Sequence, residues 1–214
     1  MTFKRTYLLI VTIAALLAAQ AQDADLLRAE KCFVEAPAQL LNVLSKTQRL
    51  DMVDYFKAGS DRPTTNDFGG ESVITSLQPE AISFNASERV SYQIFVLNPA
   101  SKTPLIGIIE TTLTPIPDSR MRIFSSAWKQ KVDLSVEPKL ADWLTPEGKK
   151  QQELVKSQLP YILATYKYDP ATLTLTIAHG MDKHFALGEG DKVLPLIKKE
   201  LRYKWDGRKF KLQK

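Results

Sequence analysis

The sequence predicts an α+β protein of two similar halves, each a helix or helix pair packed on an antiparallel β-sheet. Three observations predict it. Segments with apolar residues at helical spacing precede segments with strand-like alternation, and this order occurs twice along the chain. Gly, Pro, Asn and Asp punctuate the strand-like regions as turn residues do. The chain closes on Trp205-Asp206-Gly207-Arg208, a short-range β-hairpin signature. The expected organisation is a leader over 1–21, a first half over 22–130 and a second over 131–214, the two halves able to form one continuous domain.

The leader comes first. Lys4 and Arg5 precede an apolar run from Tyr7 to Ala19, followed by Ala19-Gln20-Ala21. A basic start, a short apolar stretch and a small-x-small site form the pattern of a secretory signal peptide, with cleavage expected after Ala21. The run is shorter than the roughly 20 residues that span a bilayer. Lipoprotein processing is not expected, because Glu30 and Lys31 stand where small residues should precede Cys32. The mature chain is therefore expected in the periplasm or outside the cell, with no transmembrane segment.

Two helices are expected next. One covers Glu35 to Ser45, with Pro37 in its first turn and Leu40, Leu41, Val43 and Leu44 on one side. The other runs from Thr47, a possible cap, with Leu50, Val53 and Phe56 inward and Gly59 at its C-terminal end. A loop over Ser60 to Gly70 leads into strands at Val73 to Leu77, Ala81 to Asn85 and Val90 to Val96. Leu105 to Ile109 is apolar on both faces, as a central strand is. Met121 to Trp128 completes this antiparallel set, with turns at Asn98-Pro99 and Pro115 to Ser119.

The second half repeats the order. An offset of 100 residues aligns Leu40 with Leu140, Val43 with Trp143, Leu44 with Leu144 and Ser45 with Thr145. One helix is expected from Pro146 to Gln158. A hairpin follows around Asp169-Pro170, with Leu173, Leu175 and Ile177 apolar against Thr172, Thr174 and Thr176. In the closing hairpin a two-residue loop pairs Trp205 with Arg208, Tyr203 with Phe210 and Leu201 with Leu212. Its rings then share a dry face, and Arg202, Lys204, Lys209 and Lys211 lie on the wet one.

That wet face is the candidate anion or partner surface. A nucleic-acid partner is not expected, because single-strand binders interleave aromatics with cations on one face, and here the aromatics point the other way. Charge agrees. The chain has 29 basic and 24 acidic residues, and losing Lys4 and Arg5 with the leader leaves a net +3. Cys32 is the single cysteine, so no internal disulfide exists and the fold rests on packing.

The runs "APAQLLNVLSKTQRLDMVDYFKAG", "NDFGGESVITSL" and "YKWDGRKF" resemble an uncharacterised family of exported Bacteroidales proteins. The likeness spans about Cys32 to Leu212. It implies an envelope or extracellular location and supplies no catalytic residues. The helix-helix-sheet order also looks like the β-lactamase-inhibitor-protein-like folds, a likeness of architecture that carries no function.

Catalytic chemistry has little to build on. No Gly-x-Ser-x-Gly is present, and His179 and His184 are the only imidazoles. Asp67 to Ser72 lacks the Gly-Lys-Ser/Thr ending of a phosphate loop, so its glycines read as a turn. The loop bearing His179, Asp182, His184, Glu189 and Asp191 contains enough donors for a metal, but His-x4-His matches no common ligand spacing. Asp51, Asp54 and Lys57 share a helix face as a surface charge set. No catalytic residue, cofactor or metal is therefore expected. The favoured expectation is a non-catalytic exported protein that binds a protein or envelope component through a sheet face. The alternative is a small metal-dependent or hydrolytic enzyme using the 179–191 loop, and a third reading, lipid or glycan binding at the envelope, expects an apolar or aromatic-lined groove between sheet and helices.

Overall fold

The computed structural model describes residues 27–113, 115–129, 131–186 and 190–213; the expected leader lies outside them. Helix α1 (Ala29–Val34) and helix α2 (Lys46–Lys57) come first. A meander follows: β1 (Thr64–Thr65), β2 (Glu71–Gln78), β3 (Ala81–Asn85), β4 (Val90–Leu97), β5 (Leu105–Thr112), β6 (Asp118–Ser125) and β7 (Lys131–Val132). These seven strands pair in sequence order as one antiparallel sheet. Three short helices, α3 (Leu140–Trp143), α4 (Pro146–Lys150) and α5 (Gln152–Gln158), lead into β8 (Ala164–Asp169), β9 (Thr174–His179), β10 (Glu200–Trp205) and β11 (Phe210–Leu212). The last four strands form a second antiparallel sheet. The expected α+β class, with helices preceding an antiparallel sheet in each half, is what folds.

The large sheet is buried on both faces, and its strand alternation says how. Ile82, Phe84, Ile94, Val96, Ile106 and Ile108 pack with Phe33, Leu41, Leu44, Met52 and Val53 from the helical side. Phe95, Leu97, Ile109, Met121 and Ile123 point the other way. They pack with Trp143, Val155, Tyr168, Leu175, Ile177, Leu201 and Trp205 of the second half. Burying a large apolar side chain is worth about 1.5–3 kcal/mol, so these two cores dominate the stability. Gly107 shows how closely the second core is packed. Phe95 lies over it so tightly that an added Cβ would fall 2.1 Å from the ring, and Phe95 stacks on Tyr168 at 4.4 Å.

Several expected details differ. Pro37 to Leu44 forms successive turns rather than a helix, and the first helix lies earlier, where Ala29, Cys32 and Phe33 have the helical spacing. The chain must reverse between two helices docked on the same sheet face, and tight turns do this while still burying Leu41 and Leu44. Helix α2 starts at Ser45 instead of Thr47, through a capping box with Gln48. Gly59 terminates it with φ +69°, as expected. Leu50 is 45% exposed, and Arg49 takes the inward place, 4% exposed. The expected helix over 146–158 breaks at Gln151. Gly148 sits against the Leu196 carbonyl, where a Cβ would come to 2.0 Å, and so pins the first turn independently of the second. Thr145 caps that turn by accepting from Gly148 N, just as Ser45 caps α2.

Strand register differs in two places. Leu173 lies outside β9 with φ +52° and is exposed, so the loop after Asp169 is longer than the pattern suggested. In the closing hairpin Trp205 pairs with Phe210 and Tyr203 with Leu212, around the loop Asp206 to Lys209. Asp206 Oδ1 accepts from both Arg208 N and Lys209 N at 2.9 Å, which stabilises this wider loop over the two-residue one. The shift is even-numbered, so faces are preserved: Trp205 is buried and packs on Phe210 at 5.0 Å. Strands β1 and β7 were not expected; each contributes only a two-residue pairing at a sheet edge.

Cys32 is buried beneath the large sheet, and its carbonyl accepts from Trp128 Nε1 at 3.1 Å. Burial pushes its thiol up to about 12, with Lys31 opposing weakly. The native chain is expected to give no reaction with a thiol-specific disulfide reagent at neutral pH and one thiol per chain in denaturant. Prompt native reaction would contradict this packing.

Candidate functional site

The four expected surface cations occupy the last two strands and their loop. Arg202 and Lys204 point outward from β10, Lys211 from β11, and Lys209 sits in the connecting loop. Lys204 and Lys211 are directly opposite each other. Three of the four are engaged: Arg202 with Glu200 at 2.6 Å, Lys211 with Asp206 at 2.8 Å, and Lys204 Nζ with the Thr172 carbonyl. The Lys211 ammonium, with two backbone N–H groups, holds the Asp206 carboxyl well below the usual carboxylate range.

The loop after β9 separates its candidate ligands. His179 Nδ1 accepts from Met181 N at 3.2 Å, and its ring meets Trp143 edge-on at 5.6 Å. His184 lies among Tyr161 and Phe185 instead. Among the described residues no group of three or more His, Cys, Asp or Glu is placed to hold a metal ion, and Glu189 lies outside them. Burial lowers the His179 pKa below 6.5, Asp182 opposing and Lys199 assisting. A depressed histidine pKa favours the neutral native form, so its contribution is complete above about pH 6.5 and is lost as pH falls below that value. The denaturation midpoint should drop on mild acidification, and His179→Gln should flatten that part of the profile. An unchanged slope in the variant would assign it to other groups.

The glycine run Asp67 to Ser72 is a turn, as expected. Asn66 is buried and clamps it: Oδ1 accepts from Phe68 N and Gly70 N, and Nδ2 donates to the Ala86 carbonyl and Ser72 Oγ. Gly69 supplies φ +77°. Phe68 at the tip is 75% exposed.

A polar concavity opens between the two sheets, where the groove weighed from the sequence was an apolar or aromatic-lined one between sheet and helices. It is an open groove of about 820 Å³ where β8 stands against the large sheet. Strand β8 presents a free edge to that sheet, and side chains complete its ladder. Gln93 is bidentate on Tyr168, with Oε1 accepting from N at 2.8 Å and Nε2 donating to O at 2.9 Å. Ser119 Oγ accepts from Tyr166 N, and Asp118 Oδ1 from Ala164 N. A floor of sheet and a wall of edge-anchored strand thus meet in a corner.

The floor is small and polar. Cross-strand pairing puts Asn85, Ser91, Thr111 and Ser119 in one row, and Ser76, Ser83 and Gln93 in the next. Thr165, Lys167 and Thr176 line the wall. Ser76, Ser83, Asn85, Ser91 and Thr176 make no side-chain hydrogen bond to any described residue; Thr111 bonds Ser119, and Gln93 is used by β8. The alternation of Ser83, Asn85, Ser91 and Gln93 with Ile82, Phe84, Tyr92 and Ile94 is visible in the sequence. It reads there as a plain solvent face.

These features define a mixed α+β protein, mostly sheet, in which two antiparallel sheets share a core and meet at a polar groove. The chain belongs to the family described as "Protein of unknown function (DUF3256)", whose model matches residues 18–210. Among solved structures it is similar to a domain of an uncharacterized protein from Porphyromonas gingivalis W83. That likeness has a TM-score of 0.71 and 18% identity, over 86% of this chain and 96% of the other. At that identity the likeness is one of fold. Comparison with curated proteins gives no match. No helix among the described residues is long and apolar enough to cross a membrane.

Proposed function

We propose that this is an exported, non-catalytic binding protein of the cell envelope, and that its ligand lies in the groove between the large sheet and β8. One observation carries the reading: five neutral polar side chains face that groove with their hydrogen-bonding capacity unused, in a cavity of about 820 Å³. That volume falls within the roughly 300–1,000 Å³ of ordinary ligand sites. The rigid walls favour recognition, because Gln93, Ser119 and Asp118 hold the strand that shapes it. Export is supported by the leader pattern at residues 1–21. The 179–191 loop lends the enzymatic alternative no assembled constellation among its described residues.

The test has two parts. Protein recovered from an osmotic-shock or culture-supernatant fraction should begin at Gln22. Immobilised mature chain should retain a component of solubilised envelope that the groove-filling variant Ser83→Arg does not. Equal retention by both, with the variant folded by circular dichroism, would remove the groove from the mechanism.

A further inference from the structure

We infer that the groove's ligand is a neutral glycan chain; this rests on the groove being the binding site. The argument is one of matched chemistry. A hydroxyl donates once and accepts twice, and a primary amide does both. Ser76, Ser83, Asn85, Ser91 and Thr176 therefore offer mixed donors and acceptors, as the hydroxyls of a sugar do. None of them is already bonded within the described chain.

Charge excludes a polyanion. Lys167 and Asp169 are the charged residues of the lining, and they are opposite in sign. Asp169 is also engaged in its own turn, accepting from Ala171 N at 3.0 Å and Thr172 Oγ1 at 2.6 Å. A binder of anionic polymers concentrates cations along the ligand track, and this floor has none.

Peptide recognition by strand addition needs an unpaired edge. The edge facing the groove is β8, and Gln93, Ser119 and Asp118 have already taken its N–H groups at Tyr168, Tyr166 and Ala164. A lipid tail needs an apolar lining, and the two floor rows are hydroxyls and amides except where they pass into the core. The rings lining the groove are Phe84 and Tyr168, buried in the two cores, and Tyr92 and Tyr166, half-buried and packed against those cores. Recognition therefore proceeds through hydrogen bonds rather than stacking, which suits repeated weak contacts along a polymer.

Affinity electrophoresis of the full mature chain tests this, with dextran, mannan and xylan as neutral probes and alginate and heparin as anionic ones. At least one neutral polysaccharide should retard the wild-type chain. Asn85→Ala with Ser91→Ala should weaken that retardation about tenfold, the loss expected when two sugar hydroxyls lose partners. Both residues are half-buried on an open sheet face, and an unchanged melting temperature confirms that the variant folds. Retardation by the anionic polymers alone, or by no probe, overturns the glycan assignment. So does groove-dependent retention of an envelope component that protease destroys. If groove-dependent retention persists while every neutral probe fails, the assignment of ligand falls and the groove survives. If Ser83→Arg also changes nothing, both fall.

Discussion

Arg49→Met is expected to destabilise the native chain by about 3–5 kcal/mol. Arg49 lies under the helical layer, and its Nη1 donates to the Phe33 carbonyl at 2.9 Å and the Ala36 carbonyl at 2.6 Å. Those carbonyls lie in the last turn of α1 and just beyond its end, where acceptors need partners and the macrodipole favours a cation. Burial lowers the Arg49 pKa, and Glu35 opposes it. The guanidinium stays charged because the shift begins from a value far above physiological pH. Methionine fills similar volume but removes both charge-assisted bonds, leaving the Ala36 carbonyl without that donor and the Phe33 carbonyl with only the long bond from Ala36 N at 3.3 Å. A fall in melting temperature of about 10 °C follows for a chain of this size. Lysine should recover only part of it, since an ammonium lacks the fork geometry. A melting temperature within a degree or two of wild type would mean that water reaches those carbonyls.

Gln93→Leu is the second large effect, about 2–4 kcal/mol, and it acts on the join between the sheets. Gln93 works as a backbone surrogate: one amide supplies the acceptor and donor that a neighbouring strand would supply to Tyr168. Leucine of nearly equal size leaves an unpaired N–H and C=O at a part-buried edge. Amide exchange at Tyr168 should accelerate relative to Leu175, which lies within β9 between β8 and β10 and is fully buried. Unchanged protection at Tyr168 would show that β8 docks by its apolar face alone. Gln93→Glu adds a sharper contrast. Its carboxylate still accepts from Tyr168 N but cannot donate to the carbonyl, so part of the loss should remain.

These two residues mark where a linear reading stops. A buried arginine looks, by spacing, like an exposed position beside Leu50; the sequence reading accordingly placed Leu50 inward. Three-dimensional context reverses the pair, because the carbonyls that Arg49 serves lie 13 and 16 residues earlier. Gln93 looks like an outward residue of an alternating strand. Its partner is 75 residues away.

What the sequence determined by itself is the set of local choices. It determined that β2 to β6 and β8 to β11 extend, that most of Lys46–Lys57 coils, that β5 is central, that Gly59 ends its helix, and that Trp205 turns inward while Lys204 turns out. Periodicity encodes these, since each depends on neighbours within a few residues. Tertiary structure alone decided the break at Gln151, the burial of Arg49 and the groove. Each of those depends on hydrogen-bond partners or steric contacts supplied by another segment. The groove exists only because β8, with no strand on its outer edge, finds partners there in side chains of the first sheet, and so stands across a hydroxyl-lined face that would otherwise be open water.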